Sequence, residues 1–256
     1  MSDKISGWLS APNASTNYKK ALGQRQKGSG LWFLCSEVYS NWKTCPNSFL
    51  WLYGMPGCGK TILSSAIIKD LQDNGAHGQV LVYFYFDFND TNKQSLGNMA
   101  RTLISQIYYS CEASREHLRS LFSSCKDGNE QPDLSSILHT LKTMICQANE
   151  ATVVLDALDE SNNREAVLEW VQELLNAKHK LHILVTSRKE EDIESMIRER
   201  HGDEETVAIK GNGVAEDIRA YIHARVRSDK GLERWASRPA VQEKIETMLM
   251  EKADGM

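Results

Sequence analysis

The sequence has few of the features that mark secreted, membrane-spanning or nucleic-acid-binding proteins. Its six cysteines form no CxxC pair and are too sparse for a disulfide scaffold. The longest strongly apolar run, residues 80–86, is far shorter than a bilayer-spanning helix. Lys and Arg total 30 against 34 Asp and Glu, so the net charge of −4 gives no electrostatic basis for binding nucleic acid or an anionic membrane. These absences predict a soluble, cytoplasmic protein without nucleic-acid or membrane partners.

The composition suits an α/β domain. The chain has 256 residues, of which 41% are hydrophobic and 25% charged, enough to bury a full core. Strand-like runs alternate with amphipathic helical patterns, which predicts a mostly parallel sheet covered by helices. The five predicted strands are Ser48–Tyr53, Gln79–Phe86, Thr152–Leu155, His182–Thr186 and Thr206–Ile209.

The first predicted strand leads directly into a glycine-rich segment, Gly54-Met55-Pro56-Gly57-Cys58-Gly59-Lys60-Thr61. Glycines let the backbone wrap a phosphate, the amides from about Gly57 onward point inward, and Lys60 reaches the outer phosphates. Thr61 offers its hydroxyl to Mg²⁺. Because an amphipathic helix follows, the segment predicts a phosphate loop for a nucleoside triphosphate. Its predicted contacts are Gly54, Gly57, Cys58, Gly59, Lys60, Thr61 and Ile62.

An acidic motif follows the third predicted strand. Asp156 stands at the end of this apolar strand, where it is placed to hold Mg²⁺ opposite Thr61. Asp159 or Glu160 is then the candidate that orients or deprotonates the attacking water. A buried strand followed by a solvated acidic turn gives the same pattern, but its combination with Lys60 and Thr61 favours the catalytic interpretation.

The fourth predicted strand ends in Thr186-Ser187-Arg188. Ligands bind at the carboxyl ends of parallel strands, so Arg188 is a candidate sensor of the γ-phosphate and of transition-state charge. The alternative is a surface arginine that opens the charged turn of residues 189–192.

Taken in order, these motifs resemble the NACHT class of STAND signal-transduction ATPases. More closely, the chain is similar to the nephrocystin-3-like N-terminal NTPase domain of filamentous-fungal NACHT and ankyrin-repeat proteins. The resemblance extends over nearly the whole chain, because further matching segments lie before the loop. These are Trp8-Leu9-Ser10, Ser15-Thr16-Asn17-Tyr18, Gly28-Ser29-Gly30, Trp32-Phe33-Leu34, Trp42-Lys43 and Asn47–Trp51.

The resemblance implies a five-stranded P-loop core in the order 5-1-4-3-2 that binds ATP and Mg²⁺. It also implies slow hydrolysis used as a switch, an ADP-bound resting state, and assembly with itself or with signalling partners. Gly57, Gly59, Lys60 and Thr61 would hold phosphates and metal, with Asp156 supporting Mg²⁺, Glu160 or Asp159 handling water and Arg188 acting as sensor. Arg25 and the glycines at 28 and 30 fall where the segment before the loop contacts adenine.

The predicted organisation is a helical preface (1–47), the NTPase core (48–210) and the start of a helical lid subdomain (211–256), which together form a P-loop α/β fold with a partial C-terminal helical unit. Family members continue into a winged helix and repeats, so we expect a fragment or a natural short form.

The favoured function is a regulated ATPase switch. The alternatives are a nucleotide-binding assembly module with little hydrolysis and a small-molecule kinase, which the paired acids disfavour. No Asn-Lys-x-Asp guanine motif is present, which favours ATP weakly and leaves GTP open.

Overall fold

The computed structural model describes residues 2–75, 78–177 and 180–253, and these contain one five-stranded sheet. Every strand pair is parallel, and the order is β2-β3-β4-β1-β5. This is the order 5-1-4-3-2 seen from the opposite edge, so the fold prediction is confirmed. The strands are β1 (Ser48–Tyr53), β2 (Val80–Tyr85), β3 (Ala151–Asp156), β4 (Leu181–Ser187) and β5 (Thr206–Ala208).

Twelve α-helices lie among the described residues, and most of them cover the two faces of the sheet. They are α1 (Ser2–Leu9), α2 (Ser15–Gln24), α3 (Leu31–Leu34), α4 (Glu37–Thr44), α5 (Lys60–Asn74), α6 (Leu96–Ser110), α7 (Arg115–Ser124), α8 (Leu134–Gln147), α9 (Arg164–Leu175), α10 (Glu191–Arg200), α11 (Asn212–Ser228) and α12 (Pro239–Ala253). Side-chain caps start several of them: Ser95, Asp133 and Asn163 each accept a hydrogen bond from the backbone N–H three residues later.

The central strands are buried on both faces, as expected for a parallel sheet between helices. Alternate side chains therefore enter two separate cores. Val153 and Val185 belong to the core formed with α1 and α6–α10, whereas Val154 and Leu184 belong to the core formed with α2–α5. The sheet thus carries α5 on the face opposite to most of the other helices.

The helices before β1 pack directly on the sheet. Trp8 is buried in the larger core, and Tyr18 and Trp42 are buried in the smaller one. The Trp42 indole N–H donates a 3.0 Å hydrogen bond to the buried Ile183 carbonyl of β4. The segment between α2 and α3 lies beside the loop that follows β1, because residues of both line one cavity.

The C-terminal helices α11 and α12 pack mainly against each other, and few of their side chains are buried. In α11 these are Val214, Ile222 and Val226, and an ion pair between Arg227 and Glu246 joins the two helices. None of the helices in the described parts of the chain combines the length and apolar character that a bilayer crossing requires.

Candidate nucleotide site

The loop between β1 and α5 has the backbone geometry of an anion site. Gly57 and Gly59 have φ of +82° and +91°, a region that other residues enter only with strain. Gly59 precedes α5, whose N-terminus has no side-chain cap. The first backbone N–H groups of the helix therefore have no intrahelical partner and can bind an anion, which the helix dipole also favours.

The Lys60 ammonium lies within the span of this loop. Its Nζ donates to the carbonyl oxygens of Gly54 at 2.7 Å and Met55 at 2.9 Å. Gly54 lies at the opposite end of the loop, and a Cβ there would lie 2.6 Å from Cys58 Sγ. The Lys60 side chain therefore joins the two ends of the loop and places positive charge beside the loop amides.

A hydrogen-bond chain joins the start of α5 to the ends of β3 and β4. Thr61 Oγ1 donates to Asp156 Oδ2 at 2.8 Å, and Thr186 Oγ1 donates to Asp156 Oδ1 at 2.7 Å. Burial raises the pKa of Asp156 to about 6, although the hydroxyls of Thr186 and Thr61 and the charge of Lys60 lower it. The hydroxyl of Thr61 and the carboxylate of Asp156 are hard oxygen donors, which suit Mg²⁺.

The two further acids in the turn after β3 have different environments. Asp159 is buried, and its carboxylate accepts from the Arg188 backbone N–H at 2.9 Å and pairs with Arg188 Nε at 3.1 Å. The guanidinium of Arg164 also binds the Asp159 carbonyl oxygen. Asp159 therefore fixes Arg188 at the end of β4.

Glu160 is held differently. Its Oε2 accepts a 2.9 Å hydrogen bond from the backbone N–H of Phe88, in the loop after β2. The pKa of Glu160 is raised, chiefly by burial and also by the nearby charges of Asp159 and Asp87. A carboxylate with a raised pKa and a fixed position is suited to general-base chemistry.

A cavity of about 320 Å³ lies beside the loop, between the α2–α3 segment and α11. Predicted contacts Gly57, Cys58, Gly59 and Ile62 line it. Arg25, the predicted adenine contact, does not: its guanidinium instead donates to the Ser29 carbonyl at 2.9 Å and 2.6 Å. The other lining residues are Gln24, Gln26, Ser29, Gly30, Trp32, Leu63, Ile209, Val214, Asp217, Ile218 and Tyr221.

Several of these residues were missed by the sequence analysis because their pattern indicated only helical packing. Trp32 and Tyr221 lie in amphipathic stretches, and nothing in the sequence shows that the two stretches meet. In the structure Asp217 Oδ2 accepts a 2.7 Å hydrogen bond from the Gly30 backbone N–H. Gly213 lies so close to Trp32 that a Cβ there would be 2.6 Å from the indole Cγ.

A larger cleft, of about 930 Å³, is also lined by the loop, at residues 54–58. It is bordered by Met55, by Arg188 at the end of β4, and by Ile222 and Leu249 of the C-terminal helices. Helix α11 borders both cavities, because Val214, Ile218 and Tyr221 line each of them.

A parallel sheet in this order, with a glycine loop between β1 and α5 and a carboxylate at the end of β3, defines a nucleotide-binding NTPase of the P-loop class. The chain belongs to the nephrocystin-3 N-terminal family: the family model described as "Nephrocystin 3, N-terminal" matches residues 28–188. The resemblance to a NACHT-like NTPase domain is therefore confirmed.

The chain is also similar to individual proteins, of which one is a curated relative and one a solved structure. The vegetative incompatibility protein HET-E-1 of Podospora anserina is 24% identical over 213 residues, which cover 80% of this chain and 16% of that protein. The ORC1 protein of Aeropyrum pernix, solved in complex with DNA, has a TM-score of 0.51 at 16% identity and is matched over 77% of this chain and 48% of its own. The second likeness concerns the fold alone. This chain spans about a sixth of the relative and about half of the structural neighbour.

Proposed function

We propose that this chain binds ATP with Mg²⁺ at the Gly54–Thr61 loop and hydrolyses it slowly as a nucleotide-controlled signalling switch. The supporting observation is the 2.8 Å hydrogen bond between Thr61 and Asp156, two residues 95 positions apart that meet beside the loop lysine. Bound Mg²⁺ would neutralise phosphate charge and stabilise the charge that develops during phosphoryl transfer.

The chain's own groups have separable roles in this proposal. Lys60 exchanges its bonds to the loop carbonyls for bonds to phosphate oxygens, and the amides at the start of α5 bind the same phosphates. Thr61 and Asp156 hold the metal. Glu160, fixed by the Phe88 N–H, orients the attacking water and accepts its proton. Arg188, positioned by Asp159, senses the terminal phosphate.

The switch would act through α11. We assign the cavity of about 320 Å³ to the base, because Gly57, Cys58 and Gly59 of the loop line it together with Trp32. Helix α11 borders this cavity and the larger cleft, so a change of nucleotide would alter its contacts with both. ADP is the proposed resting ligand, and self-association or binding of signalling proteins is the proposed output. The name of the relative HET-E-1 extends the proposal to a role in vegetative incompatibility. Nucleic acid and membranes are not proposed partners, and the proposed location is the cytoplasm.

A second candidate is a nucleotide-binding assembly module with little hydrolysis. The ion pair between Asp159 and Arg188 favours it, because the carboxylate neutralises the cation that would stabilise transition-state charge. GTP remains a possible ligand under either proposal, since the amide side chains of Gln24 and Gln26 at the base cavity can pair with either purine.

Phosphate release by the purified chain distinguishes the two candidates. We expect Glu160→Gln to lower turnover by at least about 100-fold, the usual contribution of a positioned general base. ATP affinity should be unchanged, because the amide oxygen can still accept from Phe88. Glu165→Gln, an exposed acid at the start of α9, is the matched control and should keep full turnover. Wild-type release equal to that of Lys60→Ala would refute hydrolysis and favour the assembly module.

A further inference from the structure

Two buried hydroxyls near the start of α5 have no hydrogen-bond partner among the residues that the structure describes. Ser64 lies on α5, three residues after Thr61, and is 0% exposed; Tyr85 ends β2 and is 1% exposed. An unpaired buried polar group destabilises a fold, because it loses its hydrogen bonds to water without gaining others. Two such groups in one region therefore need an explanation.

Both hydroxyls lie near the Asp156 carboxyl group. Tyr85 stands opposite Asp156 in the register of β2 and β3, and the two residues occupy equivalent positions on these neighbouring strands. Ser64 follows Thr61 by three residues on α5, and residues three apart share a face of a helix, so Ser64 lies on the side from which Thr61 donates to Asp156. Tyr85 and Val154 both belong to the core on the α5 side of the sheet, so the side chains of Tyr85 and Asp156 extend toward this helix.

Asp156 has capacity for a further donor. One hydrogen bond reaches each carboxylate oxygen, from Thr61 and from Thr186, and a carboxylate oxygen can accept two. Thr61 would bind the metal through an oxygen lone pair and would keep its hydroxyl hydrogen for Asp156. A further donor from inside the fold would add to the two existing hydrogen bonds and keep the carboxylate oriented when it holds the metal.

We propose that Ser64 and Tyr85 are positioning residues for Asp156. The Tyr85 phenol donates to Ser64 Oγ and the Ser64 hydroxyl donates to the carboxylate when Asp156 holds the metal. This inference rests on the proposed function, because it concerns the same acid in its metal-bound role. Loss of such outer hydrogen-bond partners typically weakens metal binding about 10- to 100-fold.

The chain contains a close control for each residue. Ser65 is also 0% exposed, but its hydroxyl donates at 2.7 Å to the Ile62 carbonyl of its own helix. Tyr83 lies two residues before Tyr85 on β2 and is only partly buried. Ser65→Ala and Tyr83→Phe therefore remove the same atoms without affecting the proposed relay.

The experiment measures Mn²⁺ affinity by electron paramagnetic resonance on the chain loaded with ADP, so that turnover does not contribute. We expect Ser64→Ala and Tyr85→Phe to weaken Mn²⁺ binding about tenfold. Ser65→Ala and Tyr83→Phe should stay within about twofold of wild type, and ADP affinity in EDTA should be unchanged in all four. Because the relay is linear, the double variant Ser64→Ala/Tyr85→Phe should be no weaker than Ser64→Ala alone.

Equal Mn²⁺ affinity in Ser64→Ala and Ser65→Ala would overturn the inference, as would additive losses in the double variant. Tyr85→Phe removes one oxygen only, so it provides the test even if Ser64→Ala does not fold. A folded wild-type chain that binds neither ADP nor Mn²⁺ would instead refute the proposed function. The two failures are therefore distinguishable.

Discussion

The two halves of the nucleotide site are built differently. The phosphate half consists of the Gly54–Thr61 loop with Asp156, Glu160 and Arg188, all of which lie at or just after the carboxyl ends of parallel strands. Its polar groups are connected by hydrogen bonds, of which the one from Thr186 to Asp156 is buried. The proposed base half consists of the start of α11 and the residues before β1 that line the smaller cavity, which are Gln24, Gln26, Ser29, Gly30 and Trp32. It is mainly apolar, and the hydrogen bond from Gly30 to Asp217 connects segments 187 positions apart.

This difference has a physical reason. Phosphates and metal carry charge, so the groups that bind them must be preorganised before binding, and the sheet provides that rigidity. A base is bound mainly by apolar contact, which tolerates small displacements. Substitutions in the phosphate half should therefore weaken nucleotide binding more than substitutions in the base half.

Removing the loop lysine should give the largest effect. We expect Lys60→Ala to lower affinity for ATP and for inorganic triphosphate alike by at least about 100-fold, since charge-assisted hydrogen bonds contribute up to about 3 kcal/mol. Isothermal titration calorimetry would measure both ligands. Lys69→Ala, on the same helix but paired with Asp73 at the surface, is the control. Equal losses of ligand affinity in the two variants would show that the position of Lys60 in the loop is not what matters for binding.

Truncating the aromatic residue of the base half should give a smaller and more selective effect. We expect Trp32→Ala to weaken ATP binding about tenfold, as expected for loss of an aromatic contact of about 1.5 kcal/mol. Triphosphate affinity should not change, because Trp32 lines the smaller cavity and not the cleft beside Arg188. The neighbour Leu31, half exposed, provides the control variant Leu31→Ala. Parallel losses of ATP and triphosphate affinity would show that the two halves are not independent.

The smallest effect should be kinetic. Asp217→Ala removes the acceptor for the Gly30 N–H, so α11 should separate from the α2–α3 segment more often. We expect the dissociation rate of a fluorescent ADP analogue to rise about fivefold, which corresponds to about 1 kcal/mol. Stopped-flow displacement by unlabelled ADP would measure this rate. Glu216→Ala, exposed on the same helix, should leave it unchanged; an unchanged rate in Asp217→Ala would mean that α11 does not retain the nucleotide.

The phosphate half was largely predictable because its information is local. The loop is one continuous segment with glycines at the positions where φ is positive. Asp156 and Arg188 follow apolar runs whose pattern predicts strands. The carboxyl ends of parallel strands lie at the same edge of the sheet, so residues that follow neighbouring strands come close together once the sheet has formed. The sequence left one choice open, between Asp159 and Glu160. Only the packing of the turn after β3 shows that Asp159 holds Arg188 while Glu160 binds the Phe88 N–H.

The sequence by itself determined the fold class and the phosphate-binding chemistry of this protein, because strand periodicity and loop backbone geometry depend on neighbouring residues. The tertiary structure decided the smaller cavity beside the loop, the position of Arg25 outside its lining, and the positions of Ser64 and Tyr85 near Asp156. Each of these depends on which side chains from distant segments share a small volume. An apolar or hydroxyl side chain has the same local pattern whether it fills a core or borders a ligand, and only packing distinguishes the two.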